Sequence, residues 1–151
     1  MNKKGSSQIS PRSVARDFAV QFLYQVECER VYFFSEAQFH AFCENFAVAS
    51  YAREYLKTLC RGVLNDLANI DAELTKYSEH WRIERMPVTD RGILRVAFLE
   101  LTTQDIPERV VINEAINLAK KYGNESSGSF VNGVLDRLLR NSEAIKARNS
   151  P

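Results

Sequence analysis

Apolar residues recur at three- and four-residue spacings along almost the whole chain, and no segment alternates apolar with polar long enough to make a convincing strand. That period confines the chain to helices, each carrying an apolar stripe that must be buried against a neighbour. Six glycines and four prolines in 151 residues agree with it. So few turn formers leave few turns, which argues against a sandwich or barrel of many short strands. The expected fold class is all-α, a compact bundle of about seven helices.

The first helix is predicted from Pro11 to about Glu29, with Ser10 as N-cap and proline at the first helical position. Val14, Phe18, Phe22 and Val26 recur on it every fourth residue, and Arg12 and Arg16 open its polar side. Ser35 with Gln38 reads as a capping box for a second helix carrying Phe39, Phe42 and Phe46. A third pattern begins near Ser50 and runs through Leu59, Val63, Ile70 and Leu74 to about Tyr77. Its length implies a break, with Asn69 or Asp71 as a new cap. Trp81–Val88 reads as a connector, after which Thr89 or Asp90 caps a helix whose buried face is Ile93, Leu94, Ala97, Phe98 and Leu101. Pro107 starts a helix over Glu108–Tyr122 that Gly123 ends. The loop Asn124–Ser129 leads into the last helix, with Phe130, Val131, Val134, Leu135 and Leu138. The expected organisation is a flexible basic arm at residues 1–10, a single helical domain over 11–141 and a frayed tail at 142–151. Leu59, Ile93, Leu94, Val111 and Leu135 are expected in the core.

Charge is balanced in sum, 20 basic against 19 acidic residues, which excludes a histone-like polycation. It is uneven in placement: residues 1–16 hold Lys3, Lys4, Arg12 and Arg16 and no acid. No apolar run reaches the ~18 residues a membrane span needs. The charged start is followed by no apolar segment, so a cytoplasmic protein without secretion signal or membrane contact is expected. Cys28, Cys43 and Cys60 form no CxxC and read as reduced thiols. With only His40 and His80 to supplement them, neither a metal site nor a cofactor is expected.

Gly123 and Gly128 have the spacing of a phosphate loop, but no lysine follows the second glycine and a helix precedes the first. A helix C-cap followed by an N-cap explains them better. Glu100 and Glu114 lie among apolar residues and are matched by Arg91 and Arg95. Buried charges are usually paired, so these four are read as a structural polar core and no enzyme is expected. Nucleic-acid binding has more support. Lys3, Lys4, Arg12 and Arg16 form a basic cluster whose two arginines, one turn apart, suit phosphates. Asn113, Asn117, Lys120, Lys121 and Asn124 form a second polar stripe, beside the hydroxyls of Ser126, Ser127 and Ser129 and the rings of Tyr122 and Phe130. Hydroxyls and amides beside aromatic rings suit single-stranded RNA, whose unstacked bases seek a ring face.

The series Arg16-x-x-Ala19-x-x-x-Leu23-Tyr24, Tyr55-Leu56-x-x-Leu59-x-x-Gly62-Val63 and Trp81-Arg82-Ile83-Glu84-Arg85-Met86 resembles the bacterial NusB family. So do Asp90-Arg91-Gly92-Ile93-Leu94-Arg95, Val111-Ile112-Asn113-Glu114-Ala115, Leu118-Ala119-Lys120-Lys121-Tyr122-Gly123 and Phe130-Val131-Asn132-Gly133-Val134-Leu135-Asp136. The resemblance runs in order from about residue 10 to 140. It implies two small, orthogonally packed helical subdomains. It also implies transcription antitermination: binding of boxA RNA together with the small-subunit ribosomal protein NusE, and through them an indirect part in the RNA polymerase complex with NusA and NusG. Carried onto this chain, it makes Arg12, Arg16, Tyr24, Lys121, Tyr122, Ser126 and Phe130 RNA-facing, and it places the protein partner near residues 73–85 and 93–104. The same fold serves as an accessory domain of a ribosomal RNA methyltransferase, for which a chain ending near Pro151 is expected to lack room. The family's first helix often carries a run of arginines. Here only Arg12 and Arg16 stand there, which keeps a protein–protein adaptor with little RNA binding of its own as an alternative.

Overall fold

Capping chemistry sets the ends of the first helices. The computed structural model describes residues 10–78 and 82–149, and in it α1 spans Pro11–Glu29. The Ser10 hydroxyl accepts the Ser13 amide hydrogen at 3.1 Å, ahead of a proline placed where no amide donor is needed. Ser35 does the same for α2, Glu36–Asn45, accepting the Gln38 amide at 3.3 Å. The long pattern after Ser50 divides at Asp66, earlier than expected, into α3, Ser50–Asn65, and α4, Leu67–Tyr77. The connector holds a short 3-10 turn, Ile83–Arg85. Pro87 then precedes α5, Val88–Thr103, so Thr89 and Asp90 lie inside the first turn and neither caps it. α6 covers Glu108–Tyr122 and α7 Ser127–Asn141. The described residues contain no strand.

The expected frayed tail is corrected by an eighth helix, α8, Glu143–Asn149. Ile145 is fully buried, and Arg148 Nη1 donates to the carbonyls of Glu100 at 3.0 Å and Leu101 at 2.6 Å. The Glu100 carbonyl also accepts the Gln104 amide hydrogen, whereas Leu101 is among the last residues of α5, where carbonyls run out of helical donors, so Arg148 ties α8 to that end of α5. One large apolar residue, Ile145, between two alanines in a seven-residue helix makes no readable period. Lys3, Lys4, Trp81 and the 1–9 part of the basic arm lie outside the described residues.

α1, α2 and α3 form one bundle, held by an aromatic cluster in which Phe22 and Phe42 meet edge to face at 5.2 Å. α4 to α8 form the other, and α5 contacts both. From Gly92 to Leu101 every residue of α5 is buried. That corrects part of the expected partner surface: 93–104 is largely the central helix of the fold, with its faces already covered. Leu59, Ile93, Leu94, Val111 and Leu135 are all buried as expected.

Gly123 is fixed by space. A Cβ there would stand 2.2 Å from Ser127 Oγ and 2.7 Å from the Ala119 carbonyl oxygen. The close approach lets Ser127 Oγ accept the Asn124 amide hydrogen at 3.0 Å and turn the chain from α6 into α7. Gly123→Ala is therefore expected to cost about 1–3 kcal/mol of stability, as overpacking typically does. A thermal melt followed by circular dichroism checks it.

Candidate nucleic-acid interface

Two layers of polar side chains separate within the structure, one buried and one exposed. In the buried layer Arg16 on α1 is 2% exposed, and its Nε donates to Glu100 Oε1 at 2.8 Å and Oε2 at 3.0 Å. Tyr55 donates its hydroxyl to the same carboxylate, and Glu114 lies 3.5 Å from Arg16 Nη1 while accepting from the Ser13 hydroxyl. Burial alone would lower the Arg16 pKa, but the bond to Glu100 and its charge raise it. Burial and the same carboxylate push the Tyr55 phenol well above its ordinary range. The expectation that Arg16 stands exposed to RNA is thus corrected: a guanidinium this enclosed is already neutralised from within.

The pairing expected for the polar core is corrected as well. Glu100 and Glu114 serve Arg16, whereas Arg91 and Arg95 share Glu27 of α1, at 2.8 and 2.7 Å. Arg95 also makes a two-pronged contact with Asp71 of α4, both bonds 2.8 Å. Sequence spacing could not show this, because the acids come from helices far away in the chain.

The exposed layer gathers along α1, the end of α6 and the start of α7. Arg12 is exposed, its guanidinium 4.9 Å from the centre of the Tyr55 ring. Tyr24 is 50% exposed and lines a mainly apolar cleft of about 340 Å³ with Gln21, Phe46, Thr89 and Tyr122. A second cleft of about 320 Å³ is lined by Pro87, Asp90, Asn124, Ser126 and Phe130, of which Asp90 and Asn124 lie within two positions of Thr89 and Tyr122 in the first. Ser126 is exposed, whereas Phe130 is half-buried and packs against the core. Lys121 is exposed and forms an ion pair with Asp17 at 2.5 Å. The structure thus brings Tyr24, Tyr122, Ser126, Phe130 and Lys121 onto neighbouring surfaces.

Three residues of this face escaped the sequence reading. Phe46 was expected on a helix and instead caps α2 with its ring 48% exposed. Asp90 was expected as a helix cap, but it is 2% exposed, and its Oδ1 has no hydrogen-bond partner among the described residues. Burial raises its pKa against a bond from Ser127. Asp17 had no sequence signal at all, since its partners Lys121 and Tyr122 are over a hundred positions away. Among the described residues no cluster could hold a metal ion, and no helix is long and apolar enough to cross a membrane.

Residues 13–140 match the model of the NusB family. The chain belongs to the NusB family. Transcription antitermination protein NusB of Desulfitobacterium hafniense is 41% identical over 129 residues, covering 85% of this chain and 87% of the relative. T. maritima NusB shares the fold with a TM-score of 0.78 and 36% identity, over 93% of this chain and 97% of that one. A solved complex of antitermination factors NusB and NusE with double-stranded RNA is similar at a TM-score of 0.74 and 29% identity, over 91% of this chain and 97% of the matched one. The relatives are named as antitermination proteins, not as enzymes.

Proposed function

We propose that this protein is a cytoplasmic transcription antitermination factor that binds boxA-type RNA in nascent ribosomal transcripts together with ribosomal protein NusE. It acts by binding and not by catalysis, with an indirect part in the polymerase complex that includes NusA and NusG. The observation that carries the reading is the pair of clefts lined by exposed or half-exposed rings and hydroxyls, with Lys121 beside the Tyr122 ring of the first. Such a surface offers ring faces to unstacked bases and donors to the backbone. The likeness to the NusB chain of a NusB–NusE–RNA complex supports the choice of partners.

The residues assigned to RNA are Arg12, Tyr24, Lys121, Tyr122, Ser126 and Phe130, with Lys3 and Lys4 of the arm. Arg16 leaves the set and joins Arg91, Arg95, Glu100 and Glu114 as a structural ion. Its burial also favours a second reading, a protein adaptor whose RNA affinity comes mainly with its partner. For the partner itself the exposed side chains of α4 and the 3-10 turn remain available, among them Lys76, Glu84 and Arg85.

Binding of boxA-like and scrambled oligonucleotides, with and without NusE, tests both readings. Sequence preference that strengthens with NusE supports the first, preference seen only with NusE supports the second, and binding in no arm removes both. The two rings are tested separately. Tyr24→Ala is expected to cost ~1–3 kcal/mol of RNA binding, the range of a base stack, with little change in melting temperature. Phe130→Ala is expected to lower stability as well, because part of its ring packs against the core. Unchanged RNA affinity in a stable Tyr24→Ala protein would remove that ring from the site.

A further inference from the structure

The exposed cations of the proposed RNA face are not alike. Among the described residues neither Arg12, whose guanidinium stands over the Tyr55 ring, nor Lys120 has an ion-pair partner. Lys121 is different. Its Nζ lies 2.5 Å from Asp17 Oδ2, although the lysine side chain is 59% exposed. The carboxylate is held in place by Gln21 of α1 and Tyr122 of α6: its Oδ1 accepts the Tyr122 hydroxyl and, at 2.9 Å, Gln21 Nε2, which in turn donates to the Tyr122 oxygen at 2.9 Å. Lys121 also lies 5.2 Å from the centre of the Tyr122 ring, so the acid, the cation and a cleft-lining aromatic form one unit. Asp17 therefore presents to Lys121 and Tyr122 what an RNA phosphate would present, a pair of anionic oxygens within hydrogen-bond reach.

Resting on the RNA reading of this face, we infer that Asp17 is an internal competitor for Lys121, which a backbone phosphate of single-stranded RNA must displace in order to bind. Exchange of one anion for another gains less than capture of a phosphate by a free ammonium, and the displaced carboxylate stays beside the phosphate and repels it. Asp17 thereby holds affinity down and leaves it dependent on contacts made elsewhere in the complex. The pair is solvent-exposed on the lysine side, so the exchange is a small step and not a conformational change.

The test is RNA affinity of Asp17→Asn, measured by fluorescence anisotropy with a labelled single-stranded boxA-type oligonucleotide, alone and combined with Lys121→Ala. Asparagine keeps an acceptor for Tyr122 and Gln21 and removes only the charge. The expected result is tighter binding by about three- to tenfold and a salt dependence steeper by up to about 0.7, one phosphate contact on a single strand. Both gains should vanish when Lys121 is alanine. Asp17→Glu, which keeps the charge, should not tighten binding, and melting curves establish that each variant is folded. Weaker or unchanged binding in folded Asp17→Asn overturns the inference while leaving the RNA reading intact. So does an equal gain with and without Lys121, which would be a general charge effect. Absence of binding in the parent and every variant, with NusE present, overturns the RNA reading itself.

Discussion

Glu100→Ala is expected to destabilise the fold more than any other single change on these surfaces, by ~3–5 kcal/mol, the cost of stripping one partner from a buried ion pair. The carboxylate is 1% exposed and accepts both bonds from Arg16 Nε together with the Tyr55 hydroxyl. Without it a guanidinium stays enclosed between α1, α3 and α5 with only the more distant Glu114 to answer it. For a chain of this size the melting temperature should fall on the order of 10 °C. The expected rescue separates charge from packing. Replacing Arg16 and Glu100 together by methionine removes both ions, and such replacements are often neutral or better than the pair. The double variant should therefore melt well above Glu100→Ala. It should also keep RNA affinity close to the parent, because Arg16 does not reach the surface. A large loss of RNA binding in a stable double variant would return Arg16 to the RNA site.

Arg95→Met is expected to have the next largest effect, and it carries a pH signature. Arg95 is 6% exposed and binds Asp71 and Glu27 at once. Its removal takes the cation from Asp71 and leaves Glu27 with Arg91 alone, so a loss of ~3–5 kcal/mol near neutral pH is expected. Burial by itself would raise the Glu27 pKa, but the bonds from Arg91, Arg95 and Tyr32 lower it from 4.5 to about 2. A carboxylate held below its unfolded value stabilises the fold above that value, and the contribution fades as pH falls through the folded value. In the parent protein stability should therefore decline between pH 4.5 and about 2, by up to about 3 kcal/mol from Glu27. Asp17, also lowered, adds to that decline, whereas Asp90, raised by burial, opposes it. In Arg95→Met the Glu27 carboxyl should titrate at higher pH, moving the acid limb upward. Denaturant melts across pH 2–8 read both effects. Coincident acid limbs in parent and variant would show that Arg95 does not hold Glu27 in its charged form.

Period and capping chemistry decided most of what local interactions can decide. Ser10 with Pro11 and Ser35 with Gln38 marked two helix starts, because a hydroxyl and the amide three residues on meet within one turn. Leu59, Ile93, Leu94, Val111 and Leu135 were recognisable as core because an apolar stripe has nowhere else to go. The motifs from Arg16 to Asp136 carried the family, and with it the candidate face. What the sequence could not decide is which charge meets which. Arg16 and Arg12 stand one turn apart on the same face, both over the Tyr55 ring, yet Arg16 is buried against Glu100 of α5 while Arg12, in the first turn of α1, is exposed. Arg91 and Arg95 found their acids on α1 and α4, not in Glu100 and Glu114 as expected. Asp17 acquired Lys121, Phe46 reached the surface and Asp90 was enclosed only when separate helices came together. Local propensity depends on neighbours within about one turn and is written in the sequence. Ion pairing and exposure depend on helix packing, which joins residues a hundred positions apart and exists only in the folded chain.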